Sequence, residues 1–227
     1  MKKNIHTILK RKIITTEDGS HTLFIPELNE NYHSIHGAEQ ESKHVFIEAG
    51  FKPFAKADKI NILEIGFGTG LNTLLTFCES KKNNIEIFYT SIEKYPLTDK
   101  EVSKLNYGTK NEKRKEIFTL LHKVEWESFV KISNNFNLKK IKTDLKDFII
   151  NNKFDLIYFD AFAPDIQSDL WSVTIFEKMY SCLNSGGCLT TYSAKGQVRR
   201  NMQEAGFTVE RLPGPPGKRE MLRALKK

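Results

Sequence analysis

A chain of 227 residues, 39% hydrophobic and 28% charged, has the material for one sizeable core, which excludes both a wholly disordered chain and two full domains. No stretch approaches the roughly 18 apolar residues of a membrane span, and the basic N-terminus leads into no signal-like apolar run, so a cytoplasmic protein without membrane attachment is expected. The formal charge of +7 permits an acidic partner such as RNA without requiring one.

Taken in chain order, residues 7–15 and 21–26 alternate around Glu17-Asp18-Gly19-Ser20 and predict a hairpin. Val45, Phe46 and Ala49 then predict a helix reaching Gly50. Residues 60–65 read as a buried parallel strand, residues 66–70 as a glycine turn, and a helix begins at Leu71; a second strand spans 85–92. Residues 96–137 read as mainly helical, with an inserted helix or loop over 104–118. A third strand is expected between Leu138 and Thr143, a fourth at 154–159, a fifth at 186–192, a helix at 197–205, and strands six and seven at 207–212 and 221–225.

The turn Gly214-Pro215-Pro216-Gly217-Lys218 is too short for a crossover helix, so the last strand should run antiparallel. The expected fold is therefore α/β, a seven-stranded, mostly parallel sheet covered on both faces, with residues 1–50 as an N-terminal hairpin and extension and 51–227 as the main domain. Cys78, Cys182 and Cys188 have no CxxC or Cys/His spacing; they read as buried reduced thiols, and no metal is expected.

The segment Glu64-x-Gly66-x-Gly68-x-Gly70 joins a strand to a helix, where glycines let the chain turn tightly and a ligand approach the backbone. Its spacing departs from the dinucleotide pattern GxGxxG. An acid at Glu64 would repel a pyrophosphate but suits the sulfonium and amino group of S-adenosyl-L-methionine. Glu93, closing the second strand, is placed to accept both ribose hydroxyls. Asp144 could meet the adenine amino group, with Asp147 as an alternative. Asp160-Ala161-Phe162-Ala163-Pro164 puts a carboxylate, a ring and a proline at the carboxyl edge of the sheet, where open α/β sheets bind ligands.

Further motifs lie outside the glycine turn: Tyr32-His33-Ser34 with Gly37-Ala38-x-x-Glu41-Ser42-x-His44-Val45-Phe46, Ser91-x-Glu93-Lys94-x-Pro96-Leu97, and Leu170-Trp171. Towards the C-terminus come Thr191-Tyr192-Ser193-Ala194-Lys195-Gly196-x-Val198-Arg199-Arg200, Ala205-Gly206-Phe207 and Gly217-Lys218-Arg219-Glu220-Met221. With these pieces, spread over residues 30–225, the chain resembles the methyltransferase domain of the bacterial enzymes that complete 5-methylaminomethyl-2-thiouridine at the wobble position of tRNA. It looks like a stand-alone version without the flavin-dependent oxidoreductase half. The charged segment 104–118 matches no part of that pattern.

The resemblance implies a Rossmann-like class I fold and methylation, by S-adenosyl-L-methionine, of the primary amine of 5-aminomethyl-(2-thio)uridine at tRNA position 34, with S-adenosyl-L-homocysteine released. It implies a tRNA anticodon stem-loop as partner and a separate enzyme that makes the aminomethyl precursor. Cofactor contacts are expected from Glu64, Gly66, Gly68, Thr69, Gly70, Asn72, Glu93, Lys94, Asp144, Leu145 and Asp160, with Asp160 also catalytic. Substrate contacts are expected from Tyr32, Ser42, Phe162, Pro164, Trp171 and Tyr192, three of which (Tyr32, Phe162 and Trp171) are candidates to stack on the extruded base. Lys195, Arg199, Arg200, Lys218 and Arg219 form the candidate phosphate set. The alternatives are a methyltransferase for a small-molecule or protein amine, and a nonenzymatic RNA-binding protein on a decayed fold.

Overall fold

The computed structural model describes residues 10–227. The first residues of the strand expected at 7–15 lie outside the described residues. Strands β1 (Lys12–Thr15) and β2 (His21–Ile25) pair antiparallel around Gly19, which adopts φ +78°, and β3 (Glu30–Asn31) adds a third strand against β2. The turn is held by Asp18, whose carboxylate accepts from the Ser20 and Gln40 amides and so ties the hairpin to the next helix.

That helix, α1 (Ala38–Ser42), runs without a break into a π-helical stretch (Lys43–Phe51) and one 3₁₀ turn (Lys52–Phe54). Val45, Phe46, Ile47, Gly50 and Phe51 are its buried face. A Cβ at Gly50 would come within 3.1 Å of Tyr158 and Thr190, so the helix lies close on the sheet.

The main sheet contains β4 (Lys59–Ile65), β5 (Glu86–Glu93), β6 (Phe129–Ser133), β7 (Phe136–Lys142), β8 (Phe154–Phe159), β9 (Leu183–Thr191), β10 (Thr208–Pro213) and β11 (Glu220–Leu225), in the order β10-β11-β9-β8-β4-β5-β7-β6. β4, β5, β7, β8 and β9 are parallel, while β11 runs antiparallel between β9 and β10. The near-continuous apolar runs Ile60–Ile65 and Phe154–Phe159 belong to strands buried on both faces, as central parallel strands must be.

One face packs against α2 (Leu71–Asn83), the π-helical stretch, α4 (Glu112–Lys123) and the small sheet; the other packs against α5 (Val173–Cys182) and α6 (Gly196–Glu204). The first of these clusters includes Leu23, Ala38, Val45 and Phe46, so the N-terminal segment shares its core with the sheet.

The mostly parallel α/β architecture with an antiparallel last strand is as expected, but among the described residues the sheet has eight strands. The additional one, β6, pairs antiparallel with β7 in a region expected to be helical. Its apolar spacing fits a helix face on paper, yet Val130 and Ile132 alternate with Lys131 and Ser133, and pairing with β7 decides the outcome. Within 104–118, the segment expected to hold an inserted helix or loop, α4 begins at Glu112; it buries Phe118 and Leu121 and is preceded by a short helix α3 (Asp99–Val102). Cys182 and Cys188 are buried, with thiols pushed up to about 12 by burial, whereas Cys78 is half-buried.

Candidate active site

At the carboxyl ends of the parallel strands lies a cavity of about 610 Å³, within the range of small-molecule sites. β4 leads into the glycine turn, in which the Gly66 and Phe67 amides donate to Ile92 O at 2.9 and 3.2 Å. Gly66 has φ +93°, and a Cβ there would stand 2.7 Å from the Asp160 carbonyl, so the ends of β4 and β8 can meet only around a glycine. A Cβ at Gly68 would press on the Tyr32 ring at 3.3 Å.

Three of the parallel strands, β5, β7 and β8, then each deliver an acid. Glu93, ending β5, accepts from the Gly68 amide at 2.9 Å and the Tyr95 amide at 2.7 Å. Asp144, after β7, accepts from Lys94 Nζ at 2.8 Å and the Lys146 amide at 2.9 Å; burial opposes its ionisation, but these donors hold its carboxyl below the usual value. Asp144 and Leu145 line the cavity, and Asp147 does not.

Asp160, after β8, accepts from Asn72 Nδ2 at 2.8 Å through one oxygen. Burial is the main cause that pushes its carboxyl up to about 7, with Glu41 adding to it and Asn72 and Lys218 opposing it.

The far wall comes from the N-terminal segment. Tyr32 meets Phe162 edge-on with centroids 5.0 Å apart, and its hydroxyl accepts from Arg11 Nε at 2.8 Å. His33 Nε2 lies 2.8 Å from Thr69 Oγ1, and His122 Nε2 donates to the Thr69 carbonyl at 3.1 Å. Tyr192 also lines the cavity, its hydroxyl donating to Ala161 O at 2.9 Å.

Of the residues expected from sequence, Gly66, Gly68, Thr69, Asn72, Glu93, Lys94, Asp144, Leu145, Asp160, Tyr32, Phe162, Tyr192 and Lys218 line this one cavity. Four others stand elsewhere for clear reasons. Glu64 points beneath the turn, fully buried, accepting from Ser91 at 2.6 Å and Thr73 at 3.1 Å, with burial raising its carboxyl to about 8. Gly70 packs on the imidazole of His122, where a Cβ would meet Nε2 at 2.8 Å.

Ser42 is wholly buried away from the cavity. Trp171 is only 2% exposed and donates from Nε1 to Phe162 O at 2.8 Å, so its indole braces the Asp160–Pro164 loop and cannot stack on a base.

The candidate phosphate set is also divided. Lys218 faces inward, donating to the buried Glu41 carboxylate at 2.7 Å and lying 4.0 Å from the Tyr192 ring centroid. Its charge is thus committed to an internal ion pair. Lys195, paired with Asp165, and Arg219 are exposed, while Pro164 and Arg199 are half-buried; none of the four lines the cavity.

Glu30, His33 and Glu41 line the cavity and His122 holds Thr69 of the glycine turn; sequence reasoning proposed none of the four for the site. His33 and Glu41 stand inside recognised motifs, which was the available signal; Glu30 and His122 gave none. Among the described residues, no cluster of His, Cys, Asp and Glu is placed to hold a metal ion, and no helix is long and apolar enough to cross a membrane.

Residues 109–227 match the family model described as S-adenosyl-L-methionine-dependent methyltransferase. The chain is similar to the tRNA 5-methylaminomethyl-2-thiouridine biosynthesis bifunctional protein MnmC of Leptospira borgpetersenii, 32% identical over 208 residues, covering 84% of this chain and 31% of that one. It is likewise similar to the protein of that name from Cupriavidus metallidurans, 29% identical over 224 residues, with 92% and 33% covered. The chain thus spans about a third of the length of these curated relatives.

The crystal structure of MNMC2 from Aquifex aeolicus superposes with a TM-score of 0.83 at 25% identity, over 99% of this chain and 72% of that one. Spermidine synthase from Thermotoga maritima, at a TM-score of 0.51 and 10% identity over 99% of this chain and 83% of that one, shares the fold alone. A glycine turn with acids at successive strand ends, on this sheet order and with this family match, leads to one conclusion: the chain belongs to the S-adenosyl-L-methionine-dependent methyltransferases.

Proposed function

We propose that this protein methylates the primary amine of 5-aminomethyl-(2-thio)uridine at tRNA wobble position 34, giving 5-methylaminomethyl-(2-thio)uridine. The observation that carries the reading is Asp160: one oxygen is fixed by Asn72, and the carboxyl is poised at about 7 on the wall of the cavity. A base with that value can take a proton from an alkylammonium group near neutral pH, leaving the nitrogen lone pair free to attack. The names of the MnmC relatives supply the substrate class.

The cavity fits the cofactor. Gly66 and Gly68 line it, and both Glu93 oxygens, each using one lone pair on an amide, retain another for a ribose hydroxyl. Asp144 would serve the adenine amino group and Asn72 with Asp160 the methionine end. When bound, S-adenosyl-L-methionine supplies an electrophilic methyl group on a sulfonium centre.

Residues 1–50 act in this reading as the substrate-side extension of the catalytic domain 51–227. Tyr32 and Phe162 form the aromatic platform for the wobble base, and the exposed Lys195 and Arg219, with Arg199, meet phosphates of the anticodon stem-loop. An earlier enzyme must supply the aminomethyl group.

The test is incubation with labelled cofactor and tRNA carrying aminomethyl-uridine, followed by digestion and mass spectrometry. Methylaminomethyl-uridine at position 34 is expected. Equal activity on the free nucleoside or on a peptide amine, with no gain from the stem-loop, would overturn the tRNA assignment.

A further inference from the structure

Tyr32, just after β3, and Glu93, at the end of β5, face the same cavity from parts of the chain far apart in sequence, and one side chain that does not line the cavity joins them. The Arg11 guanidinium reaches three segments at once: Nε donates to the Tyr32 hydroxyl at 2.8 Å, Nη2 to the Tyr95 carbonyl at 2.9 Å, and Nη1 to the Glu101 carboxylate at 3.2 and 3.3 Å. Its side chain is only 6% exposed. A buried guanidinium is tolerated when its donors are satisfied, and here each of its nitrogens has a partner. Glu101 is itself fixed, accepting from the Thr98 amide at 2.8 Å in the cap of α3.

From Tyr95 the path returns to Tyr32. The Tyr95 amide donates to Glu93, Glu93 accepts from the Gly68 amide, and a Cβ on Gly68 would stand 3.3 Å from the Tyr32 ring. The circuit is closed. The ribose acid and the aromatic ring therefore cannot shift separately without breaking a contact to a buried charge.

We propose that Arg11 is a positioning residue that couples the two sides of the cavity, so that cofactor held by Glu93 fixes the Tyr32 ring for the substrate. Arg11 itself touches neither ligand. A ribose on Glu93 steadies the 93–95 turn, the Tyr95 carbonyl carries this to Arg11, and Arg11 holds the phenol whose ring meets Phe162. By reciprocity, a base held against Tyr32 tightens cofactor binding by the same factor. Lysine cannot replace the arginine, because one ammonium group does not present three nitrogens to acceptors in three directions.

Two variants separate positioning from general stability. Arg11→Ala removes the junction, while Tyr32→Phe keeps the ring and removes only its acceptor oxygen. In calorimetry with S-adenosyl-L-homocysteine, each should weaken binding about 2- to 13-fold, the order of one hydrogen bond, and the double variant should be no weaker than Arg11→Ala, since both break the same link. A parental Kd in either folded single variant, or losses that add in the double variant, would overturn the coupling. Should Arg11→Ala fail to fold, Arg11→Lys takes its place in the cycle with the same expected result.

The substrate side of this inference rests on the proposed tRNA reading. Saturating S-adenosyl-L-homocysteine should tighten parental binding of an anticodon stem-loop bearing 5-aminomethyluridine about fivefold or more, and by less than about twofold in Tyr32→Phe. No gain in the parent, or an equal gain in both proteins, contradicts the role of Arg11. A parent that binds S-adenosyl-L-homocysteine but has no affinity for the stem-loop would overturn the tRNA reading instead, and the cofactor cycle alone would then decide the coupling.

Discussion

The imidazole of His122, in the last turn of α4, donates from Nε2 to the carbonyl oxygen of Thr69 in the glycine turn. The Thr69 hydroxyl lies within hydrogen-bond reach of His33 from the N-terminal segment, so two histidines hold one residue of the turn from both sides. Lys140, buried on β7, donates to the His122 carbonyl at 2.7 Å and fixes the end of the helix. Helix α4, which begins within the charged segment 104–118, thus delivers the clamp. His122→Ala should weaken cofactor binding about 2- to 13-fold, the worth of one neutral hydrogen bond, and His122→Gln should recover most of it. Calorimetry on the folded variants checks this; a parental Kd for His122→Ala would remove the clamp from the account.

Burial lowers both His33 and His122 from the usual value of 6.5 to about 4, so the fold favours their neutral forms. The stability they contribute is present above about 6.5 and is lost as the pH falls towards 4. Glu64 behaves oppositely. Burial raises it to about 8, so the fold favours its protonated form and loses stability as the pH rises from about 4.5 through 8. Glu64→Gln should therefore raise Tm at pH 8.5 but not at pH 4.5, with about 2–4 °C gained per kcal/mol in a domain of this size. A gain of equal size at both values, or none at either, would contradict a buried acid.

Lys218→Ala strands the Glu41 carboxylate, which is only 6% exposed, with one backbone donor left. The loss should be about 1–3 kcal/mol in stability, tempered by the partial exposure of the lysine. The salt dependence of tRNA binding should stay parental in this variant, whereas Lys195→Ala with Arg219→Ala should reduce the log–log slope by up to about one unit per lost contact. A reduced slope for Lys218→Ala would return that lysine to the phosphate-binding set.

Glu93 tests the ribose assignment. Its two oxygens also order the Gly68 and Tyr95 amides, so Glu93→Ala should weaken cofactor binding about 10- to 150-fold, as expected for a charge-assisted contact. Titration by calorimetry would show it, and an unchanged Kd would remove Glu93 from the cofactor site.

What the sequence made legible follows from how far each signal reaches along the chain. Strand β4, the glycine turn and α2 are contiguous, so local periodicity reveals them, and Glu93, Asp144 and Asp160 stand where strands end. The β10–β11 hairpin follows from its Gly/Pro turn. The strand β6 was hidden because its pairing partner, not its own spacing, selects the extended form. Trp171 and Lys218 were misplaced for a related reason: a ring or a charge in a motif shows its chemistry but not its direction, and here one faces the core and the other a buried acid. Glu30 and His122 depend on contacts between segments far apart in sequence, which no local pattern encodes.

The most direct test of the account is the single-turnover rate of methyl transfer to the aminomethyl stem-loop, from about pH 6 to 9.5, for the parent and Asp160→Asn. With Asp160 poised at about 7, the parental rate should rise with pH through that region as the carboxylate becomes able to accept the proton. Asp160→Asn should retain cofactor and stem-loop binding within a few-fold, lose about 10²- to 10⁴-fold in rate near pH 7, and recover part of the loss at high pH, where the free amine forms without help. A variant that turns over near the parental rate at every pH would contradict the central claim that this carboxylate prepares the amine for methylation.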